Sequence, residues 1–355
     1  MRIIFIGHRQ YGKRGGVRIF ECLKNMCDSR NVYTSISEAE TSKNVLGLSD
    51  IILLYKQTKN ILRILNKNED KTIIITSTEM FADILPALLV KFLRRNKEDV
   101  KLIAPIYHFV ISRYRNKLDL GALFHTIIQK MEIFLIVHFF DGVITENSYV
   151  EQLLLKKNPN LVIVKKSPGV HKKYLANISD REKDIDVVFL GALTKFKGVF
   201  DLLDAWRGVD NYKLVIAGYG DNKTVESIRK YIGENSIKNV ELKPNISEDE
   251  KFELLSRTKV YVLPSYVEGI PITFYEAWSR GALVVTYYLP TYVDIKDLIV
   301  AARLGDIKDL KEKLLYALKN YEDLKEKLSE KAKEYAFSHE FEKLTTEICE
   351  ENLKV

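Results

Sequence analysis

Short runs of β-branched and other apolar residues alternate with amphipathic stretches along this chain, and the alternation starts twice. In the first half the runs fall at 2–7, 31–36, 50–55, 72–76, 101–106, 142–145 and 161–164, with amphipathic stretches at 17–27, 81–95 and 148–155. A polar passage at 177–183 separates them from further runs at 186–191, 213–218, 239–242, 260–264 and 283–286. Helical patterns fit at 199–206, 222–232, 249–256 and 273–280. The runs are continuously apolar, as strands covered on both faces require. Strand–helix repetition predicts doubly wound parallel sheets, and the restart predicts two of them facing each other. The length of 355 residues suits two domains. We place them at 1–172 and 173–337, with 306–355 reading as helix only.

Charge is distributed unevenly between these halves. Residues 1–172 carry 27 Lys and Arg against 16 Asp and Glu, a net of +11, and the remainder brings the total to +7. A basic first half suits an anionic partner: nucleic acid, an anionic membrane or a phosphorylated acceptor. An ordinary Lys-rich solvated surface explains it equally well. Three scattered cysteines, Cys22, Cys27 and Cys349, argue against a disulfide framework or a structural zinc site and for a reducing cytosol. Charged and polar residues interrupt the apolar stretch 127–143, which is read as falling short of a membrane-spanning helix. The expectation is a soluble cytoplasmic protein.

In open α/β sheets ligands bind beyond the carboxyl ends of the strands, so the residues just after each run are the candidates. The first run leads into Gly7-His8-Arg9-Gln10-Tyr11-Gly12-Lys13-Arg14, which nearly spells a Walker A loop. Arg14 stands where a Ser or Thr hydroxyl should hold magnesium, which argues against a nucleotide triphosphatase. Gly15-Gly16 opens the next helical stretch and lets backbone amides approach an anion. Gly218-Tyr219-Gly220 lacks the third glycine of a dinucleotide fingerprint. Asp184-Ile185-Asp186 precedes a strand instead of following one, and reads as solvated linker charge rather than a metal site.

Two later segments carry more chemistry. Gly191-Ala192-Leu193 ends a strand and Lys197-Gly198 opens the following helix, where a lysine and a helix N-terminus together suit a diphosphate. Pro264-Ser265-Tyr266-Val267-Glu268-Gly269-Ile270-Pro271 then leads into a helix bearing Glu276. Each of these two carboxylates can accept from adjacent sugar or ribose hydroxyls. The plainer reading is a helix-end charge and an exposed helix charge. It fits Glu276 poorly, because Phe274, Ala277 and Trp278 mark a buried helix where an unpaired carboxylate is costly.

In their order and spacing these elements resemble retaining glycosyltransferases of the GT-B fold, most closely glycosyltransferase family 4. The resemblance rests on Gly15-Gly16, Gly191-x-Leu193 with Lys197-Gly198, Ala217-Gly218-Tyr219-Gly220, and Pro264-Ser265 through Glu268-Gly269 to Glu276-Ala277. Ser167-Pro168-Gly169-Val170-His171 is similar to a further element of that family at the domain junction. It implies an α/β GT-B architecture of two Rossmann-like domains across a cleft, and a metal-independent transfer from a nucleotide-sugar co-substrate to a hydroxyl acceptor, with no cofactor. Lys197 is then expected to neutralise the diphosphate, Glu276 to hold the ribose and Glu268 a hydroxyl of the transferred sugar. The amides of Gly269 and Ile270, with Gly191 and Gly218, complete the donor side. Gly15, Gly16 and His108 come from the first domain, His108 hydrogen-bonding the donor sugar. A core histidine between Tyr107 and Phe109 is the plain alternative for His108.

Two departures from the family pattern stand out. Ala192 occupies the position of an arginine that pairs with the lysine, leaving Lys195 or Arg14 to substitute, and Pro271 replaces a second glycine. The departure at Ala192 keeps open a catalytically weak binder of nucleotide-sugar or nucleic acid, and a nucleotide-sugar 2-epimerase shares the architecture. The acceptor is undetermined. The helical stretch 81–95 has a broad apolar stripe and a basic end, which fit either a core-facing helix or peripheral contact with an anionic membrane, the latter favouring a lipid-linked acceptor at its inner face. Finally, 340–353 reads as an amphipathic helix, expected by resemblance to cross back onto the first domain.

Overall fold

The computed structural model describes residues 2–8, 32–37, 48–65, 71–93, 100–110, 113–115, 117–165, 169–170 and 181–339. Among these, residues up to 110 and from 120 to 165 form one compact unit, and 113–119 with 169–339 form a second.

The first unit is built on a parallel sheet of β1 (Arg2–His8), β2 (Val32–Ser37), β3 (Thr72–Thr76), β4 (Val100–Pro105), β7 (Gly142–Thr145) and β8 (Val162–Lys165), in the order β2-β1-β3-β4-β7-β8. The helices are α1 (Leu48–Leu65), α2 (Phe81–Leu93), α3 (Leu120–Phe139) and α4 (Ser148–Lys157). Ile4, Ile74, Leu102 and Val143 are fully buried along the sheet, so the uninterrupted apolar runs do serve strands covered on both faces.

One expected strand is wrong. The run 50–55 lies inside the 18-residue helix α1. A short apolar run does not by itself separate a buried strand from a buried helix, and here Ile61 and Leu65 continue the apolar set at helical spacing and are fully buried. Most of the stretch 127–143 also belongs to a longer element than its interrupted pattern suggests, α3, while Gly142 and Val143 begin β7. By length and composition α3 is long and apolar enough to cross a membrane, with mean hydropathy 1.5 over its most apolar window.

The second unit repeats the architecture with β9 (Ile185–Leu190), β10 (Leu214–Gly218), β11 (Val240–Pro244), β12 (Thr258–Leu263), β13 (Leu283–Tyr287) and β14 (Val300–Ala302), ordered β11-β10-β9-β12-β13-β14 and parallel throughout. Its helices are α5 (Val199–Trp206), α6 (Asn222–Glu234), α7 (Glu248–Ser256), α8 (Ile272–Trp278), α9 (Ile307–Lys319), α10 (Tyr321–Leu324) and α11 (Glu330–Ser338). A two-stranded hairpin, β5 (Arg113–Tyr114) and β6 (Lys117–Leu118), belongs with this unit although its sequence lies inside the first half. The expected terminal helix at 340–353 and most of the polar linker fall outside the described residues.

Candidate donor site

The second sheet is laid down outward from β9, to β10 and β11 on one side and to β12, β13 and β14 on the other. Its switch point therefore lies between β9 and β12, the position where open α/β sheets bind ligands. Lys197 follows β9 and Glu268 follows β12, so the two best sequence candidates flank that point.

Backbone packing at the carboxyl ends explains the glycines. A Cβ on Gly218, with φ +142°, would stand 1.8 Å from the Gly191 carbonyl oxygen. The Gly191 amide donates to Ala217 O at 3.2 Å and Leu193 N to Tyr219 O at 2.8 Å, which ties the two loops together. Gly191 and Gly218 thus serve the close approach of two chains. Thr194 caps a single 3-10 turn, Lys195–Lys197, and Gly198 with φ +78° turns the chain into α5.

The loop after β12 is fastened to that turn. Tyr266 N donates to Phe196 O at 2.8 Å, and the buried Ser265 hydroxyl lies 3.1 Å from the same oxygen. Thr291 Oγ1 donates to Glu268 O at 2.9 Å. These ties bring Lys197 Nζ onto Glu268 Oε1 as an ion pair. Beneath them Tyr261 Oη lies 2.9 Å from Leu190 O and 2.8 Å from Thr273 Oγ1. Burial holds the Tyr261 hydroxyl well above its ordinary range, and Glu268 and Glu276 both add to the shift, so the two carboxylates share one neighbourhood.

Glu276 is the fifth residue of α8 and is buried, as its apolar neighbours imply. Its partner is Lys251, whose Nζ lies 2.6 Å from Glu276 Oε1 and 3.0 Å from Glu248 Oε2. Lys251 sits in the first turn of α7, fixed by a capping box between Ser247 and Glu250. The Phe252 ring receives Lys251 at 4.2 Å and Arg280 at 4.3 Å, and burial lowers the Arg280 guanidinium to about 10. The capping box is visible in the sequence, but nothing local announces a pairing 25 residues away.

A second buried carboxylate, Asp201 on α5, carries no signal in the sequence. Fully enclosed, its Oδ1 accepts from Arg115 Nε at 2.6 Å and Tyr114 Oη at 3.0 Å, and its Oδ2 from Tyr266 Oη at 2.6 Å and Tyr287 Oη at 2.9 Å. Burial, and then Asp201 itself, push the Tyr266 and Tyr287 hydroxyls upward. Tyr266 belongs to the loop that carries Glu268, so the hairpin residues and that loop meet on one carboxylate.

The remaining candidates are more dispersed. Gly269 and Ile270 stand between Glu268 and α8. His108 lies beyond β4 in the first unit, half-buried, with its carbonyl accepting from Gln129 Nε2 at 3.1 Å. Gly15, Gly16 and Arg14 lie outside the described residues. Lys195, a candidate substitute for the missing arginine, is ion-paired with Asp119 of the hairpin segment and lies over the Tyr114 and Phe196 rings. Asp184 is bound by Arg257 at 2.8 and 2.5 Å, which lowers its carboxyl, and Asp186 by Lys259 at 3.0 Å. Both aspartates stand at the amino end of β9, away from Lys197. Among the described residues no three His, Cys, Asp or Glu side chains come together as a metal site.

Residues 171–335 match the model of the family described as Glycosyl transferases group 1. No curated protein sequence matches the chain. Among solved structures, sucrose-phosphate synthase from Thermosynechococcus elongatus superposes with a TM-score of 0.73 at 14% identity, covering 99% of this chain and 98% of that one. HepE from Anabaena in complex with UDP gives 0.71 at 11% identity and 99% of both chains. TarM from S. aureus, in complex with Fondaparinux, alpha-GlcNAc-glycerol and UDP, gives 0.64 at 19% identity, over 84% of this chain and 59% of its own. At these identities the likeness speaks for the fold, which is GT-B, two Rossmann-like domains. Within it, the sequence of residues 171–335 is similar to the domain described as Glycosyl transferases group 1.

Proposed function

We propose that the protein is a retaining glycosyltransferase that moves a sugar from a nucleoside-diphosphate donor to a hydroxyl acceptor, without a metal or other cofactor. The observation that carries the reading is the convergence of Lys197 and Glu268 at the switch point of a domain that matches the glycosyltransferase family, with buried Glu276 close by. That HepE and TarM were solved with UDP supports a nucleotide donor.

In this reading the bond between the anomeric carbon and the diphosphate oxygen breaks, and its electron pair stays on the diphosphate. Lys197, with the Gly269 and Ile270 amides, receives that charge, fixed in place before the reaction. Glu268 holds a sugar hydroxyl, Glu276 the ribose, and His108 with Gly15 and Gly16 are the first unit's contributions. The acceptor oxygen bonds the same face of the carbon and its proton passes to the departing diphosphate, so no protein nucleophile is needed. The acceptor is a lipid-linked or glycan hydroxyl, reached from the cytoplasm at the inner face of a membrane.

One observation favours a second reading, a weak transferase or silent binder. Ala192 removes the usual arginine, and Lys195 is already engaged by Asp119. A thermal-shift panel of nucleotide-sugars, followed by release of nucleoside diphosphate with and without excess chelator, decides between them. Stabilisation with chelator-resistant release supports the enzyme, whereas stabilisation without release supports the binder. A strict, restorable manganese requirement would overturn the metal-free mechanism.

A further inference from the structure

α3 is apolar on its outer side as well as on its buried one. Its buried side carries Gln129 and Glu132 as well as Ile133, Ile136 and Val137. Gln129 Oε1 accepts from Val110 N at 2.7 Å, and Glu132 Oε1 accepts from Phe81 N at 2.8 Å, so the polar residues pin the helix to its own unit. Its outer side shows Leu120, Phe124, Ile127, Met131 and Phe134, between 48% and 75% exposed. Their spacing of four, three, four and three residues makes one stripe of about 21 Å at the helical rise. Phe92 at the end of α2, 53% exposed, extends the apolar area through an edge-to-face contact with Phe139 at 5.8 Å. A soluble surface rarely leaves so many large apolar side chains contiguous without a partner.

The charge on α3 and on α2 and α1, which pack in series beside it, identifies that partner. Among described side chains, α1, α2 and α3 expose Lys56, Lys59, Arg63 and Lys130, whereas their carboxylates Asp83 and Glu132 are buried. A two-fold pairing of this face with a second copy would oppose cations to cations. An anionic bilayer accepts both features, apolar side chains into the acyl boundary and cations against the headgroups. The pinning by Gln129 and Glu132 makes α3 a helix that lies on the membrane rather than crosses it.

We propose that the α3 stripe, with the end of α2, seats the first unit on an anionic lipid surface, from which a lipid-linked acceptor is drawn. Only the acceptor clause rests on the proposed transferase function. Seating itself is tested without catalysis.

The full chain is floated with vesicles of phosphatidylcholine alone and with vesicles containing phosphatidylglycerol, while sedimentation reports its oligomeric state. Binding to the anionic vesicles that weakens with salt is expected. Phe124→Ser with Met131→Ser, both at exposed positions, should cut that binding roughly tenfold or more, as should Lys59→Glu with Lys130→Glu. Failure to float, equal binding to neutral vesicles, unaltered binding by both double variants, or a dimer dispersed by the serine variant would each overturn the proposal. Nucleotide-sugar binding by the same preparations keeps a failure of seating distinct from a failure of the donor reading.

Discussion

Arg115 Nε and Asp201 Oδ1 are 2.6 Å apart although the residues are separated by 86 positions, and their contact makes the 113–118 hairpin part of the second unit. Arg115 also reaches Asp204 Oδ2 at 2.8 Å, and the Tyr114 ring packs against Tyr266 at 4.9 Å between centroids. The loop bearing Glu268 is therefore supported from below by a segment drawn from the other half of the sequence.

Replacing Asp201 tests that support. Asp201→Ala leaves a guanidinium and three largely buried hydroxyls without their common acceptor, and should cost about 3–5 kcal/mol, the range for breaking a buried charged network. Asp201→Asn keeps one acceptor oxygen and should cost less. Chemical denaturation followed at the Trp206 and Trp278 fluorescence of this unit measures both. An alanine variant within about 1 kcal/mol of the parent would show that the network is not holding the loop.

The donor residues should separate by role. Lys197→Ala removes the cation proposed to face the leaving diphosphate and is expected to lower transfer about 10²–10³-fold, as loss of one preorganised charge partner does. Glu276→Ala should weaken donor binding as well, and it leaves Lys251 buried without its 2.6 Å partner, so some stability goes with it. Lys251→Met with Glu276→Gln removes both charges and should recover that stability but not donor affinity. Calorimetric titration with the donor, alongside melting temperature, distinguishes the two effects. Unchanged affinity in Lys197→Ala and Glu276→Ala alike would remove the site.

Legibility in the sequence depends on how local each signal is. The strands at 72–76 and 142–145 and the helix at 199–206 coincide with the structure because each is a continuous apolar or amphipathic run between clear breaks. Lys197 and Glu268 are legible because parallel sheets direct attention to the residues just beyond a strand, and Glu276 because its neighbours are apolar. The helix at Leu48–Leu65 is misread in part because the five apolar residues 51–55 fit a strand as well as a buried helix. The hairpin has two residues per strand and thus no periodicity to detect. Asp201 and Lys251 read as ordinary helix charges, since their partners lie 86 and 25 positions away.

Gly198 offers a test of loop geometry in which its own chain supplies the control. At φ +78° it also approaches Pro264, whose carbonyl oxygen would lie 2.0 Å from an added Cβ. Gly208 has a similar φ of +70° but nothing within 4 Å of the same position. Gly208→Ala should therefore show only the conformational cost, about 1 kcal/mol. Gly198→Ala must in addition push the β12 loop away from the Lys197 turn, and should both destabilise more and lower donor affinity. Equal effects of the two substitutions on denaturation and on titration would contradict the close approach.

Glu132 makes the first unit sensitive to pH. Burial lifts its carboxyl from 4.5 to about 7, and Glu79 and Asp83 add to the rise against the Phe81 amide that favours the charged form. Its folded value thus lies above its unfolded one. Below about pH 4.5 the group is protonated in both states and imposes no penalty. Between 4.5 and 7 the unfolded chain ionises first, so this contribution to stability is lost as the pH rises, and the loss is complete above 7. Glu132→Gln keeps an oxygen for the Phe81 amide and cannot ionise. It should match the parent near pH 4.5 and exceed it by about 1–2 kcal/mol at pH 8, after allowance for solvent screening. Hydrogen exchange at the α3 amides reads this unit alone, and equal protection of the two proteins at about pH 8 would place the Glu132 carboxylate in a far less costly environment than its burial implies.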